Sequence, residues 1–149
     1  MFKATEDSRI QISELMKPSH ANFGGKIHGG YILSLMDNIA FACASKHSRS
    51  YCVTASVNKV NFLNPIEVGE LVTMKASVNY VGKSSMVVGI RVEAENIRTG
   101  ETKHCNSSYF IMVAVDEEGN TVTVPGLILT TKLAAKRFIK SIIRRDSDT

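Results

Sequence analysis

The chain has 149 residues, 44% of them hydrophobic and 21% charged, which suits one domain with a real core and excludes a disordered protein. Its formal charge of +4 is local: Lys132, Lys136, Arg137, Lys140, Arg144 and Arg145 stand in an acid-free stretch, the remainder nets 12 minus 14, about −2, and a nucleic-acid-binding domain is disfavoured. Three cysteines without C-x-x-C spacing argue against a disulfide framework or a zinc site, and the charged opening MFKATEDSRIQ, with no membrane-length apolar run after it, leads us to expect a cytoplasmic protein without membrane insertion.

RIQISEL, residues 9 to 15, alternates enough for a first short strand, which Pro18 ends in a polar loop. That loop carries two glycine pairs. From Gly29 the pattern turns helical: Ile32, Leu35, Met36, Ile39, Ala40 and Cys43 recur at helix spacing, while Leu33, Phe41 and Ala42 make the other faces apolar. Such a helix is expected to be wrapped by protein on most sides. Asp37 lies in the middle of it, where an ionised carboxylate is costly to bury.

Strands follow. Val53, Ala55 and Val57 alternate until the phase slips to Val60 and Phe62, which predicts a bulge near Asn58 and Lys59. NPIEVGE turns the chain into a strand of Val72, Met74, Ala76, Val78 and Tyr80, and GKSS turns it again into Met86, Val88, Ile90, Val92 and Ala94. RTGE leads to a fifth strand, HCNSSYFIMVAV, which DEEGN ends. TTKLAAKRFIKSIIRR then places Leu133, Phe138, Ile142 and Ile143 near helical spacing, predicting a basic amphipathic helix. The domain is therefore drawn at residues 1–130, with a basic C-terminal helix and tail at 131–149.

A strand, one long buried helix and four strands joined by hairpins define an α+β protein. The expected form is an antiparallel five-stranded sheet wrapped around a central helix, the hotdog fold. One sheet cannot cover so apolar a helix on every side, so a second subunit is expected to complete the enclosure.

The segments ANFGGKIHGGYILSLMDNIA, VTASVNKVNFLNPIEVGE, YVGKSSM and YFIMVAVDEEGNTVTVP, in that order over residues 10 to 130, make the chain resemble the hotdog acyl-CoA thioesterases. The resemblance is to the branch of the bacterial short-to-medium-chain acyl-CoA hydrolases and the cytosolic brain acyl-CoA hydrolase. It implies hydrolysis of acyl-CoA to a free acid and coenzyme A, with coenzyme A as part of the substrate and no metal or redox cofactor. It implies Asn22 and Asp37 as the active-site pair, with the Gly29 and Gly30 amides polarising the thioester carbonyl. It also implies a homo-oligomer, with the dimer as minimum and a hexamer built as a trimer of dimers. Lys83, Ser84 and Ser85 in the hairpin, with Ser56, Val57 and Asn58 at the bulge, are then expected to line the coenzyme A channel.

The residues support this reading on their own terms. Asp37 can be a polar contact in a dimer interface, but thioester hydrolysis needs a base on water or a carboxylate nucleophile, and a partly desolvated Asp serves as either. Gly29 and Gly30 can be a flexible loop end. At the start of a long helix, however, their amides point outward with the positive end of the dipole and no side chain in the way. Asn22 can serve its own turn or orient water. A thiolate leaves without a strong acid, so no catalytic His is needed.

His28 offers the competing reading of a hotdog dehydratase, and a non-catalytic acyl-CoA-binding sensor is a second alternative. Cys43 and His47 share a helix spacing that metals use, but two ligands without a cluster fit core packing better. Gly30 and Asp37, seven residues apart, lie about 10 Å apart along the helix axis. One carbonyl can hardly meet both in one chain, which suggests a site shared between two antiparallel helices of a dimer.

Overall fold

The computed structural model describes residues 2–58 and 60–128. The C-terminal helix expected at 131–149, and Lys59 of the expected bulge, lie outside the described residues. The elements run β1 (Phe2–Ala4), a 3-10 turn (Thr5–Ser8), β2 (Ile10–Leu15), a second 3-10 turn (Pro18–His20), α1 (Gly29–Ser48), β3 (Tyr51–Val57), β4 (Leu71–Val81), β5 (Ser85–Glu95), β6 (Thr102–Val115) and β7 (Gly126–Ile128). Five of the strands form one antiparallel sheet in the order β2-β4-β5-β6-β3, so the expected fold holds.

α1 starts where sequence reading put it and ends where Arg49 adopts a left-handed conformation, φ 57°, its N–H bonded to Ser45 O at 2.7 Å. One face buries Ile32, Met36, Ile39, Ala40, Cys43 and Ala44 against the sheet. Opposite them stand Val72, Met74, Ala76 and Val78 of β4, Met86, Val88, Ile90 and Val92 of β5, and Phe110, Met112 and Ala114 of β6. Each Val, Ile, Met or Phe among them contributes about 1.5–3 kcal/mol when fully buried, and this layer is the core. Methionine supplies an unusual share of it: Met16, Met36, Met74, Met86 and Met112 are all essentially inaccessible.

Burial on the remaining face fits the expectation that one sheet cannot cover the helix on every side. Ser34, Asp37, Asn38 and Phe41 form an exposed stripe along α1. Within one chain the helix is thus covered on one side and bare on the other, and the Asp37 carboxylate has not been desolvated.

Two short strands carried no readable pattern. β1 pairs in parallel with β7, Phe2 opposite Gly126, and three-residue segments are too short to show a period. The Phe2 ring lies so close that a Cβ at Gly126 would stand 2.3 Å from it, so any larger residue there would push the ring aside. Lys3 Nζ donates to His47 O at 2.9 Å, and His47 Nε2 bonds Pro125 O at 2.8 Å. The two chain ends of the domain are thereby tied to the end of α1.

These contacts also decide the Cys43 and His47 pair. Cys43 Sγ donates to Ser8 O at 3.2 Å, and burial pushes its thiol up to about 12. Burial pushes the His47 imidazole down, so the residue is neutral at pH 7. Among the described residues no group of three His, Cys, Asp or Glu side chains gathers as a metal site. Both residues are core.

Candidate active site

The turn before α1 prepares its first amides. His28 is the N-cap with extended backbone and no side-chain cap, and its N–H goes to His20 O at 2.9 Å. The amides of Tyr31 and Ile32 both reach His28 O, at 3.1 and 3.3 Å. That leaves the N–H groups of Gly29 and Gly30, which no acceptor among the described residues takes up. Two unpaired donors at the positive end of a twenty-residue helix suit an oxygen that gains negative charge. The Phe62 ring packs on Gly29, 3.4 Å from where a Cβ would stand, whereas nothing lies within 4 Å of one at Gly30.

That contrast yields a prediction. Gly30→Ala places a methyl in open space in the first turn of the helix, where alanine is at least as favourable as glycine, so the melting temperature should hold or rise. If a substrate oxygen approaches this amide, turnover should nevertheless fall about ten-fold or more. Unchanged turnover in steady-state assays would remove Gly30 from the site.

Asn22 spends its side-chain oxygen on its own loop: Oδ1 accepts from Gly24 N at 2.9 Å and Lys26 N at 3.2 Å. The structural and functional readings of this residue are compatible, because the loop bonds leave the Nδ2 amide as its donor. No hydrogen bond joins Asn22 to Asp37 within the chain. Seven residues separate Asp37 from Gly30, about 10 Å along the axis.

Asp37 has one partner that sequence reading missed. Thr54 Oγ1 donates to Asp37 Oδ1 at 2.7 Å. The reason for the miss is a strand phase. Val53, Ala55 and Val57 look like the core-facing set, but Cys52 pairs with Ala114 and Thr54 with Met112, both inner positions of β6. Val53 points away and is 41% exposed. A bulge lies between Thr54 and Ser56, earlier than the one expected near Asn58 and Lys59. It lets Thr54 face the helix and returns Val57 to the inner row opposite Phe110. A polar residue at an inward position beside an acid is the signal that could have found Thr54.

The residues expected along a coenzyme A channel are not brought to this point. Ser56 pairs with Ile111 on the outer face, and Asn58 is buried with its N–H on Tyr109 O at 2.8 Å. Lys83 and Ser84 in the β4–β5 hairpin use their carbonyls to hold Val124 N at 2.9 Å and Ala114 N at 3.0 Å, and Ser85 O accepts from Gly82 N at 2.8 Å. No hydrogen bond links any of the six to Asp37 or Asn22. His28 is exposed, and its ring makes no hydrogen bond to an acid among the described residues.

A hollow of about 690 Å³ lies elsewhere, on the outer face of the sheet among Gln11, Lys75, Ser77, Asn79, Arg91 and Tyr109. It has the sheet between it and α1. The unpaired amides, the carboxylate and its hydroxyl partner define the chemistry better than that open surface does.

A helix cradled by a five-stranded antiparallel sheet, with two unpaired donors at its start and one carboxylate on its open face, has the groups that thioester cleavage calls for. The model of the thioesterase superfamily matches residues 24–101, and the chain belongs to that family. Protein VdlD of Helicobacter pylori is 40% identical over 142 residues, covering 95% of this chain and 81% of that protein. An apo-hexameric acyl-CoA thioesterase superposes with a TM-score of 0.95 at 34% identity, over 98% of this chain and 94% of that one. A Staphylococcus aureus acyl-CoA hydrolase, solved with butyryl coenzyme A, coenzyme A and coenzyme A disulfide, superposes with a TM-score of 0.91 at 28% identity, over 99% and 92%. That hydrolase has also been solved with alanine in place of an asparagine, an aspartate and a threonine. Fifteen and seventeen residues separate those positions, the same intervals that separate Asn22, Asp37 and Thr54 here.

Proposed function

We propose that the protein hydrolyses acyl-CoA thioesters to a free acid and coenzyme A. The observation that carries this is the Asp37–Thr54 pair on the open face of a helix whose first two amides are unpaired. The carbonyl oxygen takes the Gly29 and Gly30 N–H groups as negative charge develops. Asp37, held by Thr54, serves as base on water or as nucleophile. The thiolate of coenzyme A departs unprotonated, since a thiol is far more acidic than water or an alcohol. Asn22 offers its Nδ2 amide to the carbonyl or the water. The matching intervals in the Staphylococcus aureus hydrolase support this set.

The reading includes a homodimer. Among the described residues β3 is an outer edge of the sheet with exposed Tyr51, Val53 and Val57, and exposed Phe41 of α1 packs edge-on against Tyr51 with ring centres 5.4 Å apart. An apolar edge beside a bare helix stripe is a surface that a second copy covers by strand pairing. Across such a two-fold axis, Asn22 and Gly30 of one chain meet Asp37 of the other. A trimer of these dimers agrees with the hexameric relative.

A thiol-release assay across acyl-CoA chain lengths tests the reaction and the substrate together. Release of coenzyme A with a defined length optimum is the expected result. Binding of acyl-CoA without any release would convert the reading to a sensor.

A further inference from the structure

We propose that Met112, with Met86 behind it, sets the length of acyl chain that the site takes. This inference rests on the hydrolase reading and adds the substrate class: short acyl groups, with longer ones admitted only by displacement of thioether side chains. Three observations carry it.

The first is register. Thr54 pairs with Met112 across β3 and β6, and Met112 pairs with Met86 across β6 and β5. The three side chains therefore form one row on the inner face of the sheet, starting at the Asp37 partner and running away from the open edge, with about 4.8 Å per strand. The second is contact. Thr54 Oγ1 lies 2.7 Å from Asp37 Oδ1 and 3.5 Å from Met112 Sδ, so Met112 is the wall directly behind the reacting group. The third is burial. Met112 is 1% exposed and Met86 0%, and the row enters the closed layer between sheet and α1.

An acyl chain whose carbonyl sits at Asp37 and Thr54 and which points away from solvent meets the Met112 thioether first. A short chain stops there. A longer one must occupy the place of that side chain. Methionine is suited to yield, because it is unbranched and has three rotatable bonds, whereas a branched residue of the same volume, such as leucine, yields less readily and a shorter one, such as valine, leaves room. Each methylene buried along the row is worth about four-fold in specificity.

The test compares kcat/KM for acetyl-CoA and octanoyl-CoA in the wild type and in Met112→Val, Met112→Leu and Met74→Val. Met74 is an equally buried methionine of the core on another row, opposite Ile12 and Val92. Met112→Val should raise the octanoyl-to-acetyl ratio about ten-fold or more, and Met74→Val should lower the melting temperature while leaving the ratio alone. Met112→Leu keeps the volume, so it preserves folding even if the valine variant fails, and its branch should lower the ratio several-fold. A ratio unchanged in the Met112 variants that fold, or moved equally by Met74→Val, overturns the assignment. Absence of hydrolysis at either length in the wild type would sink the hydrolase reading itself, a separate result.

Discussion

Asp37→Asn should lower kcat about a hundred-fold or more while leaving the fold intact. Asparagine matches the size of aspartate, and its side-chain oxygen can still accept the Thr54 hydroxyl, so circular dichroism and the melting temperature should match the wild type. What disappears is the group that takes a proton from water or attacks the carbonyl. Thr54→Val removes only the bond that orients the carboxylate and should cost about ten-fold, with KM nearly unchanged. If Thr54 acts through Asp37 alone, the double variant should be no slower than Asp37→Asn, because the threonine then has nothing left to orient. Near-normal turnover by Asp37→Asn would remove the residue from the mechanism.

Mixing two inactive variants should restore activity. Gly30 and Asp37 stand about 10 Å apart along one helix, and Asn22 has no bond to Asp37 within the chain, so a single carbonyl is reached by both groups only across a dimer. Asn22→Ala and Asp37→Ala chains, refolded together, then form mixed dimers with one intact site and one doubly defective site. Random pairing makes about half the dimers mixed, each with one good site of two, so activity should recover to about a quarter of the wild-type level. Recovery should track the fraction of mixed dimers measured by native mass spectrometry. Verified exchange with no recovery would place each complete site within one chain and leave the hydrolase assignment untouched.

The elements with long patterns were legible. α1 declares itself by twenty residues of helical spacing and a glycine pair at its start, β4 by alternation from Val72 to Ala76 and β5 by alternation from Val88 to Ala94, while the β4 irregularity between Val78 and Tyr80 takes Tyr80 out of the expected phase. Asp37 stood out because a carboxylate among apolar residues is costly to bury, but within one chain it lies on the exposed stripe with Ser34 and Asn38, so the expected burial is not seen there. Thr54 could not be found this way. In β3 the apolar residues Val53 and Ala55 mimic a core face, and only pairing with β6 shows that Thr54 points inward.

The sequence by itself determined the fold class, the helix, the position of its free amides and the acid, since each depends on local spacing or on a residue type that its surroundings do not favour. Tertiary structure decided what lies beside what: the strand order β2-β4-β5-β6-β3, the early bulge, the bond from Thr54 to Asp37, the methionine row behind it and the parallel β1–β7 clasp. Those are long-range pairings, and their register is fixed by packing of complete faces against each other. No run of neighbouring residues carries that information.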